Sequence, residues 1–580
     1  MNPDTLTAQS LLNCLVREVS LPEEQVREAD GHLIVRLARS DRLLRLGTRR
    51  SSAGTGPRLT GDAAIRRGDT WQPVGWAELS PLVAEELTLA TGVSNEEFAA
   101  QVRGSHAAIT AILRARRDAG TRQAEAEAAQ DDPRVARYLS SEQALVAGHR
   151  FHPAPKARSG EPGDWLPFAP EAGSRFPLRF LAVRGDALDT DGDTSALDRL
   201  AAPAAPAGYH VLPAHPWQLR LLAGRPWLRR ALRDRVLIDL GDGPRAVVPT
   251  SSVRTVYDPV ADVFCKFSLN MRITNCVRKN SWYELAGAVA LTALLGPVTA
   301  DLAARFPGAA VLGEPGYRTV ALPDAEAVEG LSVIFRDGLG PSLAPDVTPL
   351  LAAALTEQPG DTGDTGDTVP AAPGGQLPGA IASGLFDRRS ADWLAAWWEA
   401  YVRQVAPPVL HALFAHGVVF EPHLQNVLVG VDGDGLPVRA VLRDLEGVKL
   451  ITPRHDQALA ALKPEVARAL GYDEERGWHR VAYCLFVNHL AEIAAAIADR
   501  HPRGADGFEL ALWGRAREVL TGFARDHDWP PQLLAVLAGV PLPAKANLRL
   551  RWARGADREA AYLNVRNPFG GQLTSPDTTW

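Results

Sequence analysis

The sequence predicts a mixed α+β protein of several domains, and three observations carry that prediction. At 580 residues the chain is too long for one hydrophobic core, so two to four domains are expected. Its two ends hold alanine-rich stretches with apolar residues at helical spacing, such as EEFAAQVRGSHAAITAILRARRDAG. Its middle holds period-two rows and short β-branched runs bounded by turn residues.

Composition narrows the function classes. Hydrophobic residues make up 46% and charged residues 22%, with a net charge of −6. No long basic run appears, so neither nucleic acid nor an acidic membrane surface is expected as a partner. Cys14, Cys265, Cys276 and Cys484 show no CxxC spacing, which argues against a zinc site and a disulfide framework. Few, scattered cysteines fit a reducing compartment, so a cytoplasmic location is expected. In MNPDTLTAQSLLNCLVREVS, Leu11, Leu12, Leu15, Val16 and Val19 form one helical apolar face interrupted by polar residues, unlike a secretory signal. No uninterrupted apolar run reaches the roughly 18 residues that span a bilayer.

Along the chain, residues 1–140 read as mainly helical and about 145–355 as mixed. EQPGDTGDTGDTVPAAPGGQLPG, residues 357–379, reads as a flexible surface insertion. Residues 391–416 resume as helix, with Trp393, Leu394, Trp397, Trp398, Tyr401 and Val405 as a core-facing stripe. After Gly417 come the short strands VVF and VLVGV, a DGDG turn and PVRAVLRDL. The last 130 residues or so are helical again.

Three stretches carry chemistry. GHRFHPAPKARSG, residues 148–160, sets two histidines, a lysine and two arginines on a segment stiffened by prolines. It reads as an extended, pre-shaped loop suited to an anion, though a plain surface loop also fits. DVFCKFSLNMRITN, residues 262–275, alternates. Val263, Cys265, Phe267, Leu269, Met271 and Ile273 fall on one face, and Lys266, Ser268, Asn270, Arg272 and Thr274 on the other. Upstream, PTSSVRTVY (249–257) reads as a strand joined to it through Asp258–Pro259 in a hairpin. That would bring Ser252 and Arg254 near Lys266. Such donors on rigid strands suit phosphate oxygens; a solvated sheet face is the alternative.

HGVVFEPHLQNVLVGVDGDGLPVRAVLRDLEG, residues 416–447, is the most informative stretch. Glu421, His423 and Asn426 follow acid-x-His-x-x-Asn, and Asp444 follows a hairpin. Kinase-like folds carry a catalytic Asp and a metal-binding Asn in such a loop, with a later Asp on magnesium. Here the first acid is Glu421, and Glu446 adds a carboxylate. Hard oxygen ligands on adjacent loops suit Mg²⁺, and with Ser252, Arg254 and Lys266 they would clamp ATP. GxxxxGK[ST] and GxSxG are both absent from the sequence.

Taken together, GHRFHPAPKARSG, HPWQ, TSSVRT, KFSLNMRITNCVRKN, EPHLQNVLV and RDLEG resemble the IucA/IucC-type siderophore synthetases in order and approximate spacing. These enzymes work independently of nonribosomal peptide synthetases. The likeness runs from about residue 140 to 450, and LLNCLVRE, KANLRLR and NPF extend it over nearly the whole chain. It implies a hand-shaped fold: a thumb at 1–140, fingers at 141–355 and a distantly kinase-like palm at 356–580. It also implies a homodimer and ATP-dependent condensation of a polycarboxylate with an amine, hydroxylamine or alcohol, releasing AMP and pyrophosphate.

Carried over residue by residue, the resemblance puts Ser252, Arg254 and Lys266 on the ATP phosphates. His423, Gln425 and Asn426 would contact nucleotide or phosphate, and Glu421, Asp444 and Glu446 would position Mg²⁺ or ribose. The carboxylate pocket maps to His152, Thr274, Asn275 and Arg278, with Lys545 reaching in and Lys156 and Arg158 joining from the loop. Arg278, His423 and Lys266 are the expected catalytic groups. Many relatives carry proline where this chain has Arg150, so His149 is left out of the site, and no general base for the amine is evident. Family branches use free citrate, a citrate monoamide, 2-oxoglutarate or a succinylated hydroxamate; His152, Arg278 and Lys545 favour free citrate.

Two other classes compete. A kinase-like small-molecule phosphotransferase would release ADP, but the base Asp is missing. A binding or scaffold protein would hold ATP without turnover. A siderophore-iron reductase lacks its C-terminal cysteine cluster here.

Overall fold

The computed structural model describes residues 2–570 except 51, 55, 129–131, 274–275, 358–378, 502–504 and 556–560. Thr274 and Asn275 therefore lie outside the described residues, as do residues 358–378 of the low-complexity stretch.

In His32–Leu37, Leu33, Val35 and Leu37 are buried and the residues between them are half-exposed. Leu44 and Leu46 repeat the pattern in Arg42–Arg50. With Val26–Ala29, Arg58–Arg67 and Thr70–Pro73 these strands form a five-stranded antiparallel meander. The expectation that the first 140 residues are mainly helical holds for Pro3–Leu15, Trp76–Thr91, Glu96–Ala128 and Pro133–Glu142, but it misses this meander. The period-two rows are short, with Arg36, Arg42 and Arg45 between their buried leucines, and the flanking helical patterns are far longer. The apolar face of Pro3–Leu15 holds as read. Leu11, Leu12 and Leu15 pack with Leu33, Val35, Leu44 and Phe98 in one core.

The middle of the chain builds an antiparallel sheet of eight strands among the described residues. Their order is Leu188–Gly192, Gly316–Val320, Val333–Asp337, Val263–Phe267, Thr255–Asp258, Leu237–Pro249, Phe176–Arg184 and Tyr209–Ala214. The hairpin forms as read, with Thr255 opposite Lys266 and Val256 opposite Cys265. Two details differ. Residues 250–254 are a turn rather than strand, closed by Thr250 N–H donating to Thr255 O at 2.8 Å. The row 262–275 also breaks at Ser268, whose Oγ accepts Asn280 N–H at 2.7 Å. Val263–Phe267 is buried on both faces, because the C-terminal part of the chain covers the side that carries Lys266.

A second sheet runs Ala309–Val311, Pro437–Leu442, Val427–Val431, Thr348–Leu351. A boundary at 355 cuts through it, since Thr348–Leu351 pairs with Val427–Val431. The strands read after Gly417 are present. Trp397, Trp398, Tyr401 and Val405 of helix Ala391–His416 are buried core, as their spacing predicts. Trp282–Arg305 and Glu474–Ala498 are long and apolar enough to cross a membrane by length and composition. The apolar window of the second is 89% buried inside the protein, and Leu291, Leu295, Val298 and Leu302 of the first pack into the core of the tryptophan stripe.

Candidate active site

The TSSVR turn is a strained device. Val253 sits at φ +69°, a conformation β-branched residues avoid at a cost of about 1–3 kcal/mol. Local bonds hold it there: Ser252 Oγ accepts Thr255 N–H at 3.3 Å and lies 3.2 Å from Thr250 Oγ1. Buried Glu142 anchors the turn, accepting Ser251 N–H at 2.9 Å and pairing with Arg443 at 2.5 Å. Arg443 also donates to Gln425 O at 2.9 Å. One buried ion pair thus fixes TSSVR, the EPHLQN loop and the RDLEG loop together.

Asp444 follows Arg443 at φ +76°, which turns its carboxylate the other way. Asp444 Oδ1 accepts from Lys266 Nζ and, at 3.0 Å, from Arg336. Glu446 Oε2 accepts from Arg254 and lies 2.9 Å from Lys266 Nζ. Gly447 leaves room for the Glu421 side chain, since a Cβ there would come 2.5 Å from Glu421 Oε2 and push that carboxylate aside. Burial pushes the Asp444 and Glu446 carboxyls up, but Lys266, Arg254 and Arg336 outweigh it and hold both well below the usual range. Beside them, burial and the Glu446 charge push Glu284 up. Lys266 is 1% exposed, whereas the Asp444 and Glu446 side chains are 31% and 33% exposed. Asp444 Oδ2 and Glu446 Oε1 carry no hydrogen bond among the described residues, so they fit a hard cation such as Mg²⁺, which takes one or two carboxylates plus phosphate oxygens.

These elements face a cavity of about 420 Å³. Of the residues expected from sequence, Ser252, Arg254, Glu421, His423, Gln425 and Asp444 line it, and so do His152, Lys156, Arg158, Arg278 and Lys545. Lys266 and Glu446 stand behind this wall through their bonds to Asp444 and Arg254. Asn426 departs from the expectation: it is buried off the wall, and its N–H and C=O are spent within the loops on His423 O and Arg443 N–H. The carboxylate of Glu421 is taken by Arg480 at 2.5 Å. Burial pushes His423 down toward the neutral imidazole.

The 148–160 segment is turned rather than extended, with His152 N–H donating to His149 O at 3.0 Å and Ala157 N–H to Ala154 O at 3.2 Å. Lys156 and Arg158 are also less free than read. Both bond Glu171 Oε1 at 2.5 Å, because a buried cation needs a counter-charge. Two cations on one carboxylate leave one positive charge over. Arg158 Nε and Nη1 are buried without a hydrogen-bond partner, which favours an anionic ligand. Asn547 ties the segment to the C-terminal part by donating to Phe151 O at 2.8 Å. HPWQ, in contrast, is structural: Gln218 accepts Asn270 N–H at 2.7 Å and donates to Gly330 O at 2.9 Å, and neither His215 nor Gln218 lines the cavity.

Several wall residues escaped the sequence. His149 lines the cavity within 2.8 Å of Asn488. Arg150 is a strut, donating to Pro57 O at 2.6 Å and pairing with Glu492 at 3.4 Å. Arg17 and Asn488 come from π-helical turns, Val16–Ser20 and Tyr483–Leu490, a distortion common at functional sites. Glu357 is a buried carboxyl on the wall whose Oε2 has no hydrogen-bond partner. Arg336, off the wall, lies opposite Phe264 in the sheet and reaches Asp444 from there.

Comparison with known proteins gives the site its family. The sequence model of the IucA/IucC family matches residues 137–357. That of the ferric iron reductase FhuF-like transporters matches residues 395–560, a span whose one cysteine, Cys484, is too few for a four-thiolate iron–sulfur cluster. The chain is 28% identical to the rhizobactin siderophore biosynthesis protein RhbC of Rhizobium meliloti (strain 1021), over 98% of both chains. It is 30% identical to the L-2,3-diaminopropanoate–citrate ligase of Staphylococcus aureus (strain NCTC 8325 / PS 47), over 75% of both. The fold matches ATP-bound aerobactin synthetase IucA from a hypervirulent pathotype of Klebsiella pneumoniae. The TM-score is 0.80 at 25% identity, covering 97% of this chain and 99% of that one. With its motifs, its fold and these relatives in agreement, the chain belongs to the IucA/IucC family.

Proposed function

We propose that this protein is an ATP-dependent ligase of siderophore biosynthesis. It adenylates a polycarboxylate, citrate first among them, and joins the acyl group to an amine, hydroxylamine or alcohol with release of AMP and pyrophosphate. The observation that carries this reading is one cavity that gathers both charge sets. Arg254 and Asp444, backed by Lys266 and Glu446, line it together with Arg158, Arg278 and Lys545. Relatives named as citrate ligases of diaminopropanoate and spermidine support it.

A carboxylate resists nucleophiles because it is already negative. Transfer to the α-phosphate of ATP gives it a leaving group, and both transition states gather charge on oxygen, so fixed cations are the main resource. Ser252 and Arg254 hold the phosphates, with Lys266 and Arg336 fixing Asp444 and Glu446 behind them. His423, as a neutral imidazole, and Gln425 contact the nucleotide. Asp444 and Glu446 would hold Mg²⁺, whose charge would offset that of the phosphates. His152, Arg278, Lys545 and the surplus charge of the Lys156–Arg158–Glu171 group receive the polycarboxylate and orient it. By the resemblance to the family, Thr274 and Asn275 would also bind the acid. Glu357 takes the proton of the incoming amine: burial pushes its carboxyl up to about 7, where a general base works near neutral pH.

The thumb, fingers and palm division, the kinase-like palm, a homodimer and a cytoplasmic location complete the reading. The test is hydroxamate formation with ATP, Mg²⁺ and hydroxylamine across citrate, succinate and 2-oxoglutarate. Product with citrate alone is expected; product with 2-oxoglutarate or succinate instead would replace citrate as the acid.

A further inference from the structure

Helix Ala391–His416 ends in a group of imidazoles that the ligase chemistry does not use. Asp301 of helix Trp282–Arg305 places Oδ2 2.8 Å from His411 Nε2 and 2.8 Å from His416 Nε2. Behind them, His411 Nδ1 lies 2.7 Å from His527 Nε2, and His527 Nδ1 lies 2.9 Å from Phe523 O. His411 is buried, Asp301 and His416 are partly open, and none of the four lines the cavity. Arg305 holds the other oxygen of Asp301 at 2.8 Å.

The hydrogen bonds in this row do not balance without a cation. At its ends the Phe523 carbonyl and the Asp301 carboxylate can only accept. Three contacts between them each need one N–H, and two neutral imidazoles supply two. One further proton on the row, or a metal ion bound by His411 Nε2, removes the shortfall. With the ion bound, His411 carries its proton on Nδ1 and donates to His527 Nε2, and His527 Nδ1–H donates to Phe523 O. This is the relay that orients metal-bound histidines. The ligand atoms of Asp301, His411 and His416 all lie within 4.8 Å of one another, and the position is the C-terminal end of a long helix, where carbonyl dipoles favour a cation.

We propose that Asp301, His411 and His416 form a binding site for one divalent transition-metal ion of the zinc class, with His527 as its positioning residue. Two imidazoles and one carboxylate suit Zn²⁺ and its neighbours rather than Mg²⁺. Tetrahedral bonds of about 2.0–2.2 Å put ligand atoms roughly 3.3–3.6 Å apart, so Asp301 Oδ2 and each imidazole nitrogen part by roughly half an ångström or somewhat more when the ion binds. The ion ties the end of one helix to another, five residues before Glu421, and so braces the chain entering the EPHLQN loop.

The experiment strips the full-length protein with a chelator and titrates it with Zn²⁺ under excess Mg²⁺, with Co²⁺ as a spectroscopic probe. The expected result is one tightly held Zn²⁺ per chain and cobalt d–d absorption. Asp301→Asn and His416→Gln should each weaken Zn²⁺ binding about 100-fold and abolish the cobalt bands, and His527→Phe should weaken it about 10–100-fold. Metal-free melting of each variant checks its fold, and His416→Gln, at the open end of the helix, carries the test if Asp301→Asn does not fold. No Zn²⁺ uptake by the wild type, or unchanged affinity and cobalt spectrum in folded His416→Gln, would overturn the site. Unchanged affinity in His527→Phe would overturn the relay.

Discussion

Lys266 Nζ lies 2.9 Å from Glu446 Oε2, a central strand of one sheet reaching a loop of the other. Burial opposes the ammonium charge, yet Asp444, Glu314 and Glu446 outweigh it and raise the lysine above its usual range. The result is a permanent, fixed cation beside two half-open carboxylates.

Lys266→Met is therefore expected to lower kcat/KM for ATP by on the order of 10²–10³-fold, because Asp444 and Glu446 lose the fixed cation that positions them beside the phosphates. Acid-dependent pyrophosphate release at varied ATP measures it. Unchanged ATP kinetics in a folded variant would show that Lys266 does not support the ATP site.

Arg278→Ala should leave the fold intact and cut turnover greatly at every ATP concentration, with the deficit in acid-dependent pyrophosphate release. Near-normal release would refute its role in the carboxylate pocket.

Arg443→Met should destabilise by about 3–5 kcal/mol, because it leaves Glu142 charged and fully buried. The change appears as a lower melting temperature, and the double variant Glu142→Gln, Arg443→Met should recover part of it. A melting temperature equal to wild type in the single variant would mean the pair does not hold the three loops.

Glu357 gives a pH signature. Its carboxyl is pushed up by burial to about 7, against the attraction of Lys156 and Arg116. A raised pKa means the folded state favours the proton, so this stabilisation is full below about pH 4.5 and is lost as pH rises through about 7. Relative to Glu357→Gln, the wild type should lose about 3 kcal/mol over that window. The same variant should slow condensation more than adenylation. Parallel pH–stability curves for the two proteins would contradict the buried titration.

How much of this was legible depended on whether local spacing carried the signal. The Thr255–Asp258/Val263–Phe267 hairpin, the tryptophan stripe and the strands after Gly417 follow from period and turn residues within a few positions. The meander at residues 26–73 did not, because its alternation is short and competes with long helical neighbours. In the site, motif residues such as Lys266, Asp444 and Arg278 announce themselves by type and order. Glu142, Arg336 and Glu357 do not, since each acts through a partner or a burial that only the fold supplies: Arg443 pairs with Glu142 across 301 positions. The pairing of Lys156 and Arg158 with Glu171 is invisible for the same reason.

The most direct test of the account is nucleotide product analysis with ATP, Mg²⁺, citrate and hydroxylamine. The account predicts AMP and pyrophosphate in equal amounts, formed only when the acid is present. ADP and phosphate would contradict it, and would mean that the acidic loop around Glu421 and Asp444 transfers the γ-phosphoryl group as it does in kinases.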